Sequence, residues 1–163
     1  MKRFILTFFL LSLSLTPCFS QWQCEYKQAD PMYDQEAAYF FSYYDSRFGA
    51  MIGFYDSNCS ISEVGIRCPE RIDYYIDYTR TPALRWTTVR VGFYEHSELI
   101  EKYDIIGLVG DDSHMMVFTE SDSMVIKYWL LGRGSIRFII PQFLEINLDF
   151  TIPKYNGGKP IYE

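Results

Sequence analysis

The sequence predicts an all-β protein, an antiparallel β-sandwich of Ig-like or related type with at most one or two short helices. Three observations lead there. Apolar and polar residues alternate with period two in segment after segment. Turn residues recur about every ten positions. Segments with helical spacing are almost absent.

The first twenty residues stand apart. Lys2 and Arg3 precede an apolar run from Phe4 to Leu15, and Pro17-Cys18-Phe19-Ser20 follows. A basic start, an apolar stretch too short to span a bilayer and a small residue at its end make a secretory signal. We expect cleavage after Ser20, a periplasmic or secreted product with no transmembrane segment after cleavage, one domain over residues 21–152 and a C-terminal tail over 153–163.

The chain has 15 basic and 21 acidic residues, a net charge of −6, and loss of Lys2 and Arg3 takes it to −8. That balance argues against nucleic acid and anionic lipid, which are bound chiefly through cations. Aromatic residues make up 18% of the chain, enough to build a core and far above the content of disordered segments.

The strands follow in order. Trp22, Cys24 and Tyr26 alternate with Gln21, Gln23 and Glu25. Phe40 to Tyr44 and Ala50 to Tyr55 are weaker candidates. Val64, Ile66 and Cys68 alternate with Glu63, Gly65 and Arg67; after Pro69-Glu70-Arg71, Ile72, Tyr74, Ile76 and Tyr78 alternate with polar partners. A three-residue hairpin loop would set Cys68 against Ile72, Ile66 against Tyr74 and Arg67 against Asp73, keeping all apolar residues on one face. Thr87 to Phe93 forms the next strand. Met124 to Leu130 and Ile136 to Ile140 form a hairpin around Gly132-Arg133-Gly134, and Leu144 to Ile152 forms the last strand. Two short helices fit the spacing, Asp34 to Phe41 and Ser97 to Tyr103, the second with Ser97 as N-cap. The tail after Pro153 is expected to fray.

Export favours disulfides. Cys24 and Cys68 both point inward by parity, so a Cys24–Cys68 bridge is the first expectation and Cys59–Cys68 the alternative.

No catalytic constellation emerges. His96 and His114 lie in polar, turn-rich surroundings without the spacing of a metal motif, and HExxH, CxxC, EF-hand and GxSxG patterns are all missing. Ser113 beside His114 is adjacency in sequence only. Gly107-Leu108-Val109-Gly110 is a lone glycine pair and no phosphate cradle. The reading is a non-enzyme with no cofactor and no metal. Outward Tyr75, Tyr94 and Trp129 offer an aromatic binding surface, with Trp129 opposite Arg137 for a cation–π contact. Ordinary cross-strand packing on a second buried face would use the same residues. Asp111 and Asp112 form a candidate acidic loop.

Several short patterns line up: Asp30-Pro31-Met32-Tyr33-Asp34, Ile66-Arg67-Cys68, Tyr75-Ile76-Asp77-Tyr78 and Thr88-Val89-Arg90-Val91-Gly92-Phe93. In this order and spacing the stretch from Trp22 to Thr119 resembles a family of small exported all-β proteins. That family includes type VI secretion-associated accessory proteins of Gram-negative bacteria and relatives carried by phages and mobile elements. Family members carry Arg-Phe-Asp where this chain has Gly92-Phe93-Tyr94. The resemblance implies a cell-envelope accessory module with a protein partner and no catalysis. An exported carbohydrate- or ligand-binding module and a small acidic inhibitor or immunity protein are the alternatives.

Overall fold

The computed structural model describes residues 21–28, 37–56 and 63–157. The signal segment, Cys59, the Asp-Pro-Met-Tyr-Asp motif and the end of the tail lie outside the described residues.

Ten strands form one open antiparallel sheet: β1 (Gln21–Lys27), β2 (Ala38–Asp45), β3 (Ala50–Asp56), β4 (Gly65–Arg67), β5 (Tyr75–Asp77), β6 (Leu84–Glu95), β7 (Glu98–Val109), β8 (Met115–Phe118), β9 (Ser135–Gln142) and β10 (Ile146–Ile152). Their order is β1-β2-β3-β4-β8-β7-β6-β9-β10, with β5 added to the free part of the β6 edge that β9 leaves. The fold is all-β and sandwich-like, as expected, and its two layers are wings of one continuous sheet. Period-two alternation puts Phe41, Ile52, Ile66, Val89, Val91, Met116, Phe138 and Phe150 on one face, each 2% exposed or less, in a single core cluster. The wings meet across that core. Phe118 stacks on Phe138 at 6.0 Å. The Trp22 indole donates to the Pro153 carbonyl at 2.9 Å, and Tyr155 packs edge-on against Phe41 at 5.1 Å. The start of the tail is therefore docked rather than frayed through Tyr155, whose N–H donates to the Leu130 carbonyl.

Several expectations are corrected. Residues 120–128 form helix α1 (Glu120–Tyr128), continued by a π turn, Trp129–Arg133, so the Met124–Leu130 strand and its Gly132-Arg133-Gly134 hairpin do not form. Thr119 caps the helix by accepting from the Asp122 N–H, and Glu120 and Asp122 suit the positive end of its dipole. Ser123, Ile126 and Leu130 are buried at helical spacing, whereas Met124 and Tyr128 are 52% and 67% exposed. The period is 3.6 residues, and the alternation in Met124-Ile126-Tyr128-Leu130 is incidental. Helix and turn close one end of the sheet. Ser123 Oγ accepts from the Val64 N–H at 2.8 Å, Lys127 Nζ donates to the Tyr55 carbonyl and Trp129 Nε1 to the Tyr94 carbonyl.

Ser97 to Tyr103 belongs to β7, not to a helix. His96 and Ser97 form a two-residue hairpin turn with φ of 49° and 70°, the positive values a type I′ turn requires. Ala38 to Phe41, assigned above to a helix, are strand β2.

Val64, Ile66, Cys68 and Ile72 are buried as parity predicts, but the hairpin between them is replaced. β4 pairs with β3 and β8, and β5 pairs with β6. The chain between them hands over at Ile72, whose N–H donates to the Ser113 carbonyl before Asp73 donates to Pro141 on β9. Parity fixes a face; the partner is set by non-local contacts, here the Tyr75–Trp86 ring pair at 5.1 Å and the β4–β8 ladder. Arg67 accordingly meets Asp112 at 3.4 Å, not Asp73.

The Cys24–Cys68 bridge is absent. β2 and β3 separate the strands that bear the two residues, so both thiols face the core without meeting. Burial pushes the Cys68 thiol up to about 12, which leaves it neutral and unreactive.

Three predictions follow from these features. Thr119→Ala should cost about 1 kcal/mol, typical of a lost cap, read from denaturant midpoints with unchanged slope. Replacing His96-Ser97 by Asn-Gly should raise stability by roughly 1 kcal/mol, because Asn and Gly accept positive φ more readily; a loss would contradict the turn. Cys68 should resist alkylation in native protein and label after denaturation, and a non-reducing peptide map should contain no Cys24–Cys68 pair.

Candidate functional site

The inward face is filled by the core, and the candidate site among the described residues lies on the outer face. There the strand register lines up one row across eight strands: Tyr75, Trp86, Leu108, Val117, Gly65, Gly53, Ser42 and Gln23. In β2, β3, β4, β6, β7 and β8 the residues beside them, Phe41, Ile52, Ile66, Thr87, Val109 and Met116, are buried, so this part of the row points away from the core; at the β5 end Ile76, expected inward, is 38% exposed. Two glycines facing one another, Gly53 and Gly65, leave a trough. Met51 and Met115 rise on one side and Phe40 and Tyr55 on the other, enclosing about 400 Å³. A second depression of about 370 Å³ continues over Leu108, Val117 and Met115.

Both glycines lie close against their neighbours. A Cβ on Gly53 would lie 3.0 Å from the Phe40 ring, and one on Gly65 would lie 3.2 Å from the Met115 methyl. The walls are apolar and accessible: Met51, Tyr55 and Met115 are 38–42% exposed, and Tyr75 at the end of the row is 66% exposed.

Charge lies on both sides of the trough, which Glu63 and Arg67 also line. Arg67 pairs with Asp112 at 3.4 Å and Arg85 with Asp111 at 3.3 Å. Asp112 Oδ1 also accepts from the His114 and Met115 N–H groups. These backbone bonds, the His114 one foremost, hold its carboxyl below the usual range, with Arg67 adding to them. The acidic loop is thus tied back by two arginines and its own backbone. On the far side the Lys127 ammonium, its pKa lowered by burial, is anchored on the Tyr55 carbonyl.

The other sequence-selected residues divide. Tyr75, Asp111 and Asp112 sit at the trough's end and rim. Tyr94 and Arg137 come together elsewhere on the outer face, lining one notch, and Arg137 pairs with Asp149 through two bonds of 2.7 and 2.5 Å. Trp129 is a correction: it is 6% exposed, packs edge-on against Phe93 at 5.1 Å, and receives Arg133, not Arg137, over its ring at 4.6 Å. The π turn that carries it points the indole inward. His96 and His114 stand at opposite ends of β7, whose twelve residues span about 40 Å at roughly 3.4 Å each. His114 Nδ1 faces the Cys68 carbonyl at 3.3 Å.

Met51, Gly53, Tyr55, Gly65, Met115 and Val117 were not singled out from the sequence. Their signal was there: glycines at outward positions, and Met115-Met116-Val117-Phe118, where apolar residues occupy both parities of one strand.

No family model matches the chain, nor does any curated protein or solved structure.

Proposed function

We propose that this chain is an exported, non-catalytic interaction module that docks a protein partner at the cell envelope through the outer-face trough. The observation that carries the reading is the apolar part of the registered row, Tyr75 to Val117, with the two glycines that follow it. A surface exposed on purpose to water would place polar residues at those outward positions, as antiparallel sheets with one wet face do. Contiguous apolar area on an outer face marks an interaction site, and aromatic and methionine walls suit a protein partner. The accessory role in an envelope-spanning secretion machine, implied by the motif resemblance, belongs to the same proposal. The signal-like start of the chain supports export.

A carbohydrate ligand is the second reading, favoured by Tyr75 lying over Trp86 at 5.1 Å at the open end of the row, a platform on which a sugar ring could stack. The acidic inhibitor or immunity reading would rest on the exposed Asp111 and Asp112, each with an arginine within 3.4 Å.

The test is a crosslinked pull-down of the tagged protein from its native envelope, alongside the Tyr55→Glu and Met115→Glu variants. Both side chains are exposed, so melting temperature should change by only a few degrees. We expect a specific partner to be enriched with the wild type and reduced at least about tenfold with either variant, since charge in an apolar interface is costly. Equal recovery by folded variants would refute the trough as the docking face, and binding lost to soluble glycans would favour the second reading.

A further inference from the structure

The outer face carries a second, independent feature about 20 Å along β6 from Trp86, counting six residues at roughly 3.4 Å. Register sets Gly92 between two cations, with Lys102 on β7 on one side and Arg137 on β9 on the other. One step along, Arg90 faces Asp104 and Ile139. Tyr94 and Leu99 stand at the opposite edge, where the β6–β7 ladder bulges after Phe93. Together they enclose a notch of about 190 Å³. A glycine inside a twelve-residue strand weakens it. Here a Cβ would lie 3.1 Å from the Tyr94 ring and 3.3 Å from the Leu99 methyl, so a side chain would fill the floor that these two overhang.

The donors exceed the acceptors. Asp149 takes two N–H bonds from Arg137, and Asp104 takes one from Arg90 at 3.0 Å. A guanidinium has five donors, so both arginines are oriented by their carboxylates with hydrogens to spare. The Tyr94 hydroxyl lies 3.6 Å from where a Gly92 Cβ would stand, so its O–H is within reach of a group seated on the notch floor. Lys102 is exposed and makes no ion pair among the described residues. With Asp104 and Asp149 counted against Arg90, Arg137 and Lys102, the notch carries one net positive charge, that of Lys102, in a chain of net charge −6. Leu99 and Ile139 add an apolar wall.

We propose that this notch binds a carboxylate on a small apolar body: Lys102, Arg137 and the Tyr94 hydroxyl grip the carboxylate above Gly92, and Leu99 and Ile139 hold the apolar part. The site is independent of the trough and stands whether or not the trough docks a protein. The carboxylate has two sources, a free organic acid or the terminus of a peptide.

The experiment is an amide NMR titration of the purified protein with sodium benzoate, neutral benzamide and an acetylated dipeptide ending in a free phenylalanine carboxylate. We expect saturable shifts at Gly92, Tyr94 and Lys102 with the acids and none with benzamide. Lys102→Met should weaken binding about tenfold or more, as for a lost charge-assisted bond, and Lys102→Arg should retain it. Tighter binding of the dipeptide assigns a peptide terminus; tighter binding of benzoate assigns a free acid. The proposal is overturned if neither acid saturates, if benzamide shifts the same amides equally, or if folded Lys102→Met binds as well as wild type.

Discussion

Everything in this molecule depends on one face of one sheet supplying the core. A sheet buries alternate residues, so a ten-stranded sheet can enclose itself only by bringing its wings together over that face. The Phe118–Phe138 stack does this near the middle, and Phe150 backs Phe138 from the neighbouring strand. The Trp22–Pro153 hydrogen bond and Tyr155 do it at the margin. Helix α1 is the stopper. Its buried Ser123 accepts from the Val64 N–H and donates to the Phe118 carbonyl, which satisfies polar groups that the short β4 and β8 would leave bare at that end. The buried side-chain polar atoms of the described residues all have partners, the condition a closed core has to meet.

That economy frees the opposite face. With the core complete on one side, the outward positions are under no demand to be apolar, yet a band from Tyr55 and Phe40 through Val117 to Trp86 and Tyr75 is. Two paired glycines lower its floor. Farther along the same face the chemistry changes to cations set around a third glycine. An apolar trough flanked by arginine–aspartate pairs and a polar notch with spare donors are two surfaces of different chemistry on one sheet. Neither brings a nucleophile, base and orienting acid together: the histidines are held apart by the length of β7, and Cys68 is neutral within the core.

The sequence made the faces legible and left the partners hidden. Val64, Ile66, Cys68, Ile72, the inward residues of β6 and β9, and Leu148, Phe150 and Ile152 of β10 sit where alternation put them, whereas Leu144 and Ile146, expected inward, are exposed at the β9–β10 turn. What alternation cannot say is which strand lies beside which. Val64 to Cys68 could satisfy its parity against Ile72 to Tyr78 or against β8, and the choice fell to contacts far apart in the chain. The helix was missed for a different reason. Met124-Ile126-Tyr128-Leu130 mimics a strand over four apolar positions, while the informative signal was the capping pattern Thr119-Glu120-Ser121-Asp122 just before it. The His96-Ser97 turn was obscured because neither residue is the usual Asn or Gly of such turns. Of the candidate site, Tyr75, Asp111 and Asp112 were legible as outward residues near turns. The trough itself was not, because it exists only once β3, β4 and β8 are placed side by side in register.

The central claim, that adjacent residues of β8 divide between a sealed core and an open docking face, can be tested on one dipeptide. Mild peroxide oxidation of native protein, read by peptide mass spectrometry, compares Met115, 42% exposed, with Met116, fully buried. Solvent reaches the sulfur of an exposed methionine and not of a buried one. The account predicts rapid oxidation of Met51, Met115 and the helix-surface Met124, with Met116 protected until the protein unfolds. Oxidation of Met115 and Met116 at equal rates in folded protein would contradict the register, and with it the trough.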